Sequence, residues 1–240
     1  MIALLDLLKG SRGSRVRLLP CLGVALLLAG CDTPTPDLSD LSKIRFKPEV
    51  RYKPTNIYRK SDSMDPDVKR IAILPMTTLQ PTEAFQAGVD SLQPLLHAEL
   101  AKAKRFELIV ITPEQLQDWT GQRVWRADEQ LPPDFFDRIR DETGCQGVLF
   151  DQLTRYQPYQ PVAVGWKFTL VFNKEHQIFW AADEVFDGGD EGVANAARDY
   201  EASHIVTQSP IPDPNAILSS PSRFGQYTLH ELLTTMPQRL

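Results

Sequence analysis

The chain has 240 residues, 42% of them hydrophobic, 24% charged and 9% aromatic, with 26 basic and 31 acidic side chains for a formal net charge of −5. This is the composition of an ordinary globular domain with appendages, and it excludes a polytopic membrane protein and a fully disordered chain. Thirteen glycines and 19 prolines fall in no triplet period, which excludes a collagen-like chain, and no repeat occurs at solenoid spacing. Residues 1–30 hold four basic and one acidic side chain, residues 31–60 seven and four, and residues 61–240 fifteen and 26, for net charges of +3, +3 and −11.

In residues 1–30, Lys9, Arg12, Arg15 and Arg17 precede an apolar run from Leu18 to Gly30. A bilayer-spanning helix needs about 20 apolar residues and this run has only about 13, so the pattern predicts a cleaved export signal. The run closes in Leu28-Ala29-Gly30-Cys31, which resembles the lipobox of bacterial lipoproteins. That resemblance implies cleavage between Gly30 and Cys31 and a lipid on the Cys31 thiol. The protein would then be anchored in a membrane on its periplasmic side. Asp32 resembles the residue that retains enteric lipoproteins at the inner membrane. Each buried methylene contributes about 0.8 kcal/mol, so three acyl chains hold a protein durably where one is marginal. With Cys21 removed and Cys31 lipidated, Cys145 is left as a lone thiol, and no internal disulfide is expected.

Residues 31–66 are polar and punctuated by Pro34, Pro36, Pro48, Pro54 and Pro66. Such a segment buries too little surface to offset its conformational entropy, which predicts an extended tether. Within it Lys43-Ile44-Arg45-Phe46-Lys47 and Val50-Arg51-Tyr52-Lys53 alternate basic with apolar or aromatic residues. On a strand that pattern puts cations on one face and Ile44 and Phe46 on the other, and Phe46 and Tyr52 are candidate contacts for anionic phospholipid, cell-wall polymer or a partner's sheet edge, unless the segment lies against the domain or stays loose.

Residues 67–240 then read as one domain. Arg70–Pro75 is a short apolar run closed by proline, a buried strand. Leu92, Leu95, Leu96 and Leu100 recur at helical spacing behind Ser91 as cap, with Pro94 expected in the first turn. Phe106–Ile111 is a second strand, and Thr112-Pro113-Glu114-Gln115 opens a helix with a capping box and proline at its first position. Leu131–Thr143 is a further helix stopped by Gly144, and Gly147–Leu153 a third strand. Val164, Trp166, Phe168, Leu170 and Phe172 share one face of a long strand, and Asn173–His176 turns it into a partner carrying Ile178, Trp180 and Ala182. With a closing helix near Phe224–Thr235, the elements predict a single-domain α/β fold, a mixed-sheet α/β sandwich.

The order of these elements resembles the lipoprotein group that includes the curli secretion channel, the penicillin-binding-protein activators and the amino-terminal domain of the Tol translocation protein. The resemblance is carried by Ile71-Ala72-Ile73-Leu74-Pro75, Phe106-Glu107-Leu108-Ile109-Val110, Thr143-Gly144-Cys145-Gln146-Gly147-Val148-Leu149-Phe150, Ile178-Phe179-Trp180 and a helix after Ser222. It implies a protein that is not an enzyme and that holds a protein partner or assembles with its own copies, as a ring-forming export lipoprotein would. A barrel strand needs about 9–11 alternating residues. The 164–186 hairpin alternates well, but the domain needs it for its own sheet. Pro210, Pro212 and Pro214 do not suit a barrel wall.

Catalytic signatures are sparse. Asp187-Gly188-Gly189-Asp190-Glu191-Gly192 resembles the GGDEF signature of diguanylate cyclases but lacks its phenylalanine and reads as a turn. Asp183, Glu184, Asp187, Asp190 and Glu191 offer oxygens without calcium-loop spacing. The four histidines form no metal-binding pair, no CxxC occurs, and Cys145 reads as a small buried apolar residue, so no metal or cofactor is expected. Tyr156 and Tyr159 stand in the proline-punctuated stretch 155–161, a candidate contact patch. The acidic balance of an exported domain excludes nucleic acid as a partner.

Overall fold

The computed structural model describes residues 51–174, 176–204, 213 and 215–238. The signal segment, the lipobox with Gly30 and Cys31, Asp32 and Phe46 lie outside the described residues. The elements in chain order are β1 (Ile57–Arg59), β2 (Arg70–Ile73), β3 (Thr77–Thr78), α1 (Glu83–Ala103), β4 (Glu107–Val110), α2 (Pro113–Thr120) and α3 (Phe135–Thr143). They continue with β5 (Gly147–Gln157), β6 (Ala163–Phe172), β7 (Gln177–Asp187), α4 (Glu191–His204), a short 3-10 turn over Ala216–Ser219 and α5 (Pro221–Thr234). Among the described residues these form a mixed α/β sandwich around one seven-stranded sheet of order β1-β7-β6-β5-β2-β4, with β3 paired to β5 beyond the end of β2.

β2, lying between β4 and β5 and parallel to both, is buried on both faces, as its unbroken apolar run requires. Ile71 and Ile73 enter a large core against α1, α4 and α5, while Ala72 and Leu74 enter a smaller one against α2 and α3. The β5–β6–β7 meander is antiparallel. Val164, Trp166, Phe168 and Leu170 are all fully buried in the large core. Two buried indoles find partners on or beside α5: Trp166 Nε1 donates to Thr228 Oγ1 at 2.9 Å and Trp180 Nε1 to Thr235 Oγ1 at 3.1 Å. A buried Trp N–H left unpaired would carry its whole desolvation penalty, so these two bonds fix how α5 lies on the sheet. Two glycines let backbones approach. A Cβ on Gly225 of α5 would stand 2.4 Å from Leu92 of α1, and one on Gly88 of α1 would meet Leu153 and the Tyr156 ring within 2.8 Å.

Local signals read from sequence reappear as contacts. Thr112 accepts from the Gln115 N–H at 3.2 Å while Gln115 Oε1 accepts from the Thr112 N–H at 3.0 Å, a complete capping box. Gly144 ends α3 in the left-handed region at φ 69°.

The structure corrects five expectations. First, α1 begins at Glu83 with Thr82 as cap, two turns before Ser91, and Pro94 lies inside the helix. Asp90 and Pro94 are both exposed, so the backbone carbonyl that loses its partner faces water, and the Ser91 hydroxyl donates to the Gly88 carbonyl instead of capping. Second, β5 runs on to Gln157, which places Tyr156 in a strand rather than a loop. Third, a bulge in the β6–β7 ladder pairs Leu170 with Trp180 but Val171 with Ile178, so Phe179 enters the core and Ile178 faces solvent. Fourth, the turn expected at Gly188-Gly189 is present, but it leads into a helix that was not expected, whose first turn is capped by Asp190, which accepts from the Val193 N–H at 3.0 Å. Fifth, part of the segment read as tether is folded onto the sheet. β1 pairs antiparallel with β7, the Tyr52 and Phe186 rings meet edge to face at 5.2 Å, and Met64 is 3% exposed. A few well-placed apolar side chains and a free strand edge suffice to seat it, although its composition resembles a linker.

Candidate functional site

The sheet is covered unequally, and that inequality creates the candidate contact surface. On the face with α2 and α3, the helical layer packs over β2, β4, β5 and the Val171 end of β6. The rest of that face, on β6, β7 and β1, carries Lys167, Thr169, Ala181, Asp183, Val185 and Tyr58 in register. Val185 and Tyr58 are exposed, and a groove of about 470 Å³ lies between Leu79, Arg126, Lys167, Asp183 and Val185. The segment after α2 walls one side: Asp128 accepts from Lys167 at 3.2 Å, and that bond holds the Asp128 carboxyl below the usual aspartate range. Arg126 pairs with Asp128 at 3.3 Å and Glu129 at 3.1 Å. A surface of interleaved charges with apolar patches suits a protein contact better than a small substrate.

A second concavity of about 370 Å³ lies between the C-terminal ends of α1 and α4 and the side of α5. Glu99, 7% exposed, accepts there from Gln226 at 2.9 Å and from Lys102 at 2.5 Å. The His204 and His230 rings stand 4.8 Å apart beside Tyr200. Burial, reinforced by His204, lowers the His230 pKa, and burial raises that of Glu231. This histidine pair joins the successive helices α4 and α5 at a separation that matches no metal-ligand spacing, so the sequence did not mark it. Among the described residues, no group of three or more His, Cys, Asp or Glu is arranged to hold a metal ion.

The residues singled out from sequence do not converge. Tyr159 is 81% exposed, whereas Tyr156 is half-buried, with its hydroxyl 3.4 Å from Ser91 Oγ on α1. Tyr52 lies at the other end of the same cross-strand row, beyond Val164 and Phe186, with its hydroxyl bonded to the Glu184 carboxylate. Burial, then the Glu184 bond, pushes the Tyr52 hydroxyl far above its ordinary pKa. The acidic cluster is divided among structural tasks. Glu184 receives the Tyr52 segment, Asp187 pairs with Arg155 at 3.4 Å and accepts from the Gly189 N–H at 2.9 Å, and Asp190 caps α4. Cys145 is fully buried, and burial raises its thiol pKa, the opposite of what a nucleophile requires. Among the described residues no helix is long and apolar enough to cross a membrane.

No protein-family model matches the chain, and no curated protein matches it. Among solved structures it is similar to the PelC dodecamer from Paraburkholderia phytofirmans, at 10% identity and a TM-score of 0.42, over 79% of this chain and 96% of that one. It is similar to lipoprotein GNA1162 from Neisseria meningitidis at 15% identity and a TM-score of 0.36, over 57% of this chain and 99% of that one. The structure of Escherichia coli LpoB shows 14% identity and a TM-score of 0.33, over 69% of this chain and 92% of that one. Similarity at this level carries no inference about activity or partner.

Proposed function

We propose that the chain is a lipid-anchored periplasmic adaptor of a bacterial cell-envelope complex, held to a membrane through Cys31 and binding a protein partner without catalysis. The observation that carries this reading is Leu28-Ala29-Gly30-Cys31 at the end of a short apolar run behind four basic residues. The half-covered sheet, with Lys167, Asp183, Val185 and Tyr58 facing solvent, is the surface offered to the partner, and Tyr159 stands as a further exposed contact. Tyr156 and Tyr52 support the domain from within their row and contribute to contact through the parts they leave exposed.

Cys31→Ala tests the anchor. The substituted protein should move from the membrane to the soluble fraction and lose incorporated palmitate, and unchanged fractionation would refute it. Cross-linked affinity capture from membranes tests the adaptor, with the full-length chain expected to bring down a distinct envelope protein. Recovery of the chain alone would count against that reading. A closed ring of identical copies in native mass measurement would replace it with a ring-forming export lipoprotein.

A further inference from the structure

Residues 51–59 lie across the outer edge of the sheet, where the three-residue β1–β7 ladder and the Asp183 N–H, which donates to the Asn56 carbonyl at 3.1 Å, hold the backbone and one side chain collects the further hydrogen bonds. The Glu184 carboxylate accepts from the Tyr52 hydroxyl and from the backbone N–H groups of Thr55 at 3.2 Å and Asn56 at 2.9 Å. Around that centre, Asn56 Nδ2 donates to the Asp183 carbonyl at 2.8 Å, the Tyr52 N–H to the Gly192 carbonyl at 3.3 Å, and Arg51 pairs with Asp199 at 3.0 Å. β1 itself is three residues long, with Tyr58 and Arg59 exposed. The segment contributes little to the core beyond the partly buried Tyr52 and Ile57. The next fully seated residue is Met64, whose N–H donates to the Gln238 carbonyl at 3.0 Å.

The position of Glu184 gives this arrangement its meaning. Along β7 the residues alternate, and Trp180, Ala182 and Phe186, on the same face as Glu184, are buried in the large core. An apolar residue at 184 would hold the overlying chain by burial. A carboxylate there requires donors, and it takes them from a segment that can exchange them for water. Contacts of that kind open at far lower cost than packed apolar ones.

We infer that residues 51–59 form a releasable strap latched by Glu184, which sets the length of the leash between the lipidated cysteine and the domain. With the strap latched, 19 residues (32–50) separate the proposed anchor from the strap, a contour of at most ~65 Å. With it released as far as Met64, 32 residues (32–63) do so, a contour of at most ~110 Å. The consequence for reach rests on the proposed anchor at Cys31, whereas the latch itself does not.

The test uses the full lipidated chain, in detergent and on liposomes, as wild type, Glu184→Ala, Glu184→Gln and Tyr52→Phe. Hydrogen exchange over Tyr52–Arg59 and tryptic cleavage after Arg51 and Arg59 should accelerate at least tenfold in Glu184→Ala. They should shift in the same direction, by less, in Glu184→Gln and Tyr52→Phe, while exchange in Val164–Leu170 of β6 stays unchanged. On liposomes, energy transfer from a donor on the domain to acceptor lipids should fall in Glu184→Ala. Unchanged strap exchange in all three variants would overturn the latch, and so would parallel acceleration in β6, which would make the strap an integral part of the fold. A released strap with unaltered energy transfer would overturn the control of reach. Failure of the wild-type chain to partition with membranes would instead remove the anchor and leave the latch standing.

Discussion

The two faces of the sheet are built to different depths. On one, α1, α4 and α5 cover the sheet and enclose Trp166, Trp180, Phe168 and Tyr227. On the other, α2 and α3 enclose a smaller set around Phe135, Ile139 and Phe150, and among the described residues no helix packs over the β6–β7–β1 half. Each large apolar side chain taken fully from water contributes about 1.5–3 kcal/mol, so the first face carries most of the stability. The second is thereby free to carry charges, small residues and a groove, which a stability-bearing face could not tolerate.

The sharpest way to break this comparison is truncation in the deep core. Trp166→Ala should cost about 3–5 kcal/mol, because it removes a large buried ring and leaves Thr228 without its donor. Chemical denaturation would read this, and a loss below about 1 kcal/mol would show that the depth of the core had been misjudged.

Next in size is a pH effect from β5. Asp151, on the large-core face with Leu149 and Leu153, is 2% exposed, and among the described residues neither carboxylate oxygen has a hydrogen-bond partner. Burial raises its folded pKa well above the ordinary range, so the folded state holds its proton where the unfolded state has lost it. Stability is therefore greatest below the unfolded pKa near ~3.9 and falls as pH rises towards the folded pKa, by at most about 1.4 kcal/mol per pH unit. Asp151→Asn should abolish that slope in unfolding measured across the window, and an identical slope would sink the assignment. In the shallower core, Ile139→Val should cost about 0.5–1.5 kcal/mol. On the open face, Lys167→Ala breaks a partly exposed pair with Asp128 and should change stability by no more than ~1 kcal/mol. If that face is the contact surface, the same substitution should weaken partner capture far more than it weakens the fold.

The deep face was also the more legible in sequence. Unbroken or alternating apolar runs at Arg70–Pro75 and Val164–Phe172 point to their strands because burial on that side leaves one solution for each side chain. Thr112 and Gln115 mark their helix because their side chains do the capping themselves. Where reading went astray, tertiary context outweighed a local rule. Pro94 suggested a helix start, but its ring stands on the solvent side of α1 and the buried stripe upstream extends the helix to Thr82. Ile178 kept its place in the alternation only on paper, since a single-residue bulge hands that place to Phe179. Residues 51–66 have the composition of a linker, and what seats them comes from positions more than a hundred residues away: the β7 edge, the Glu184 carboxylate for Tyr52–Asn56, and the Gln238 carbonyl for Met64. The candidate site was less visible still, because among the described residues the half-sheet is marked by the lack of a covering helix, which no residue pattern encodes.

Cys145 gives the folded domain a clock of its own. Its thiol is fully enclosed beneath α3, and burial suppresses its thiolate, so a reagent such as iodoacetamide can react only while that corner of the molecule is open. If Cys31 is acylated and the export signal removed, as proposed, Cys145 is the one thiol left to alkylate, and each alkylation event counts an opening of the shallow core in which the deep one need not take part.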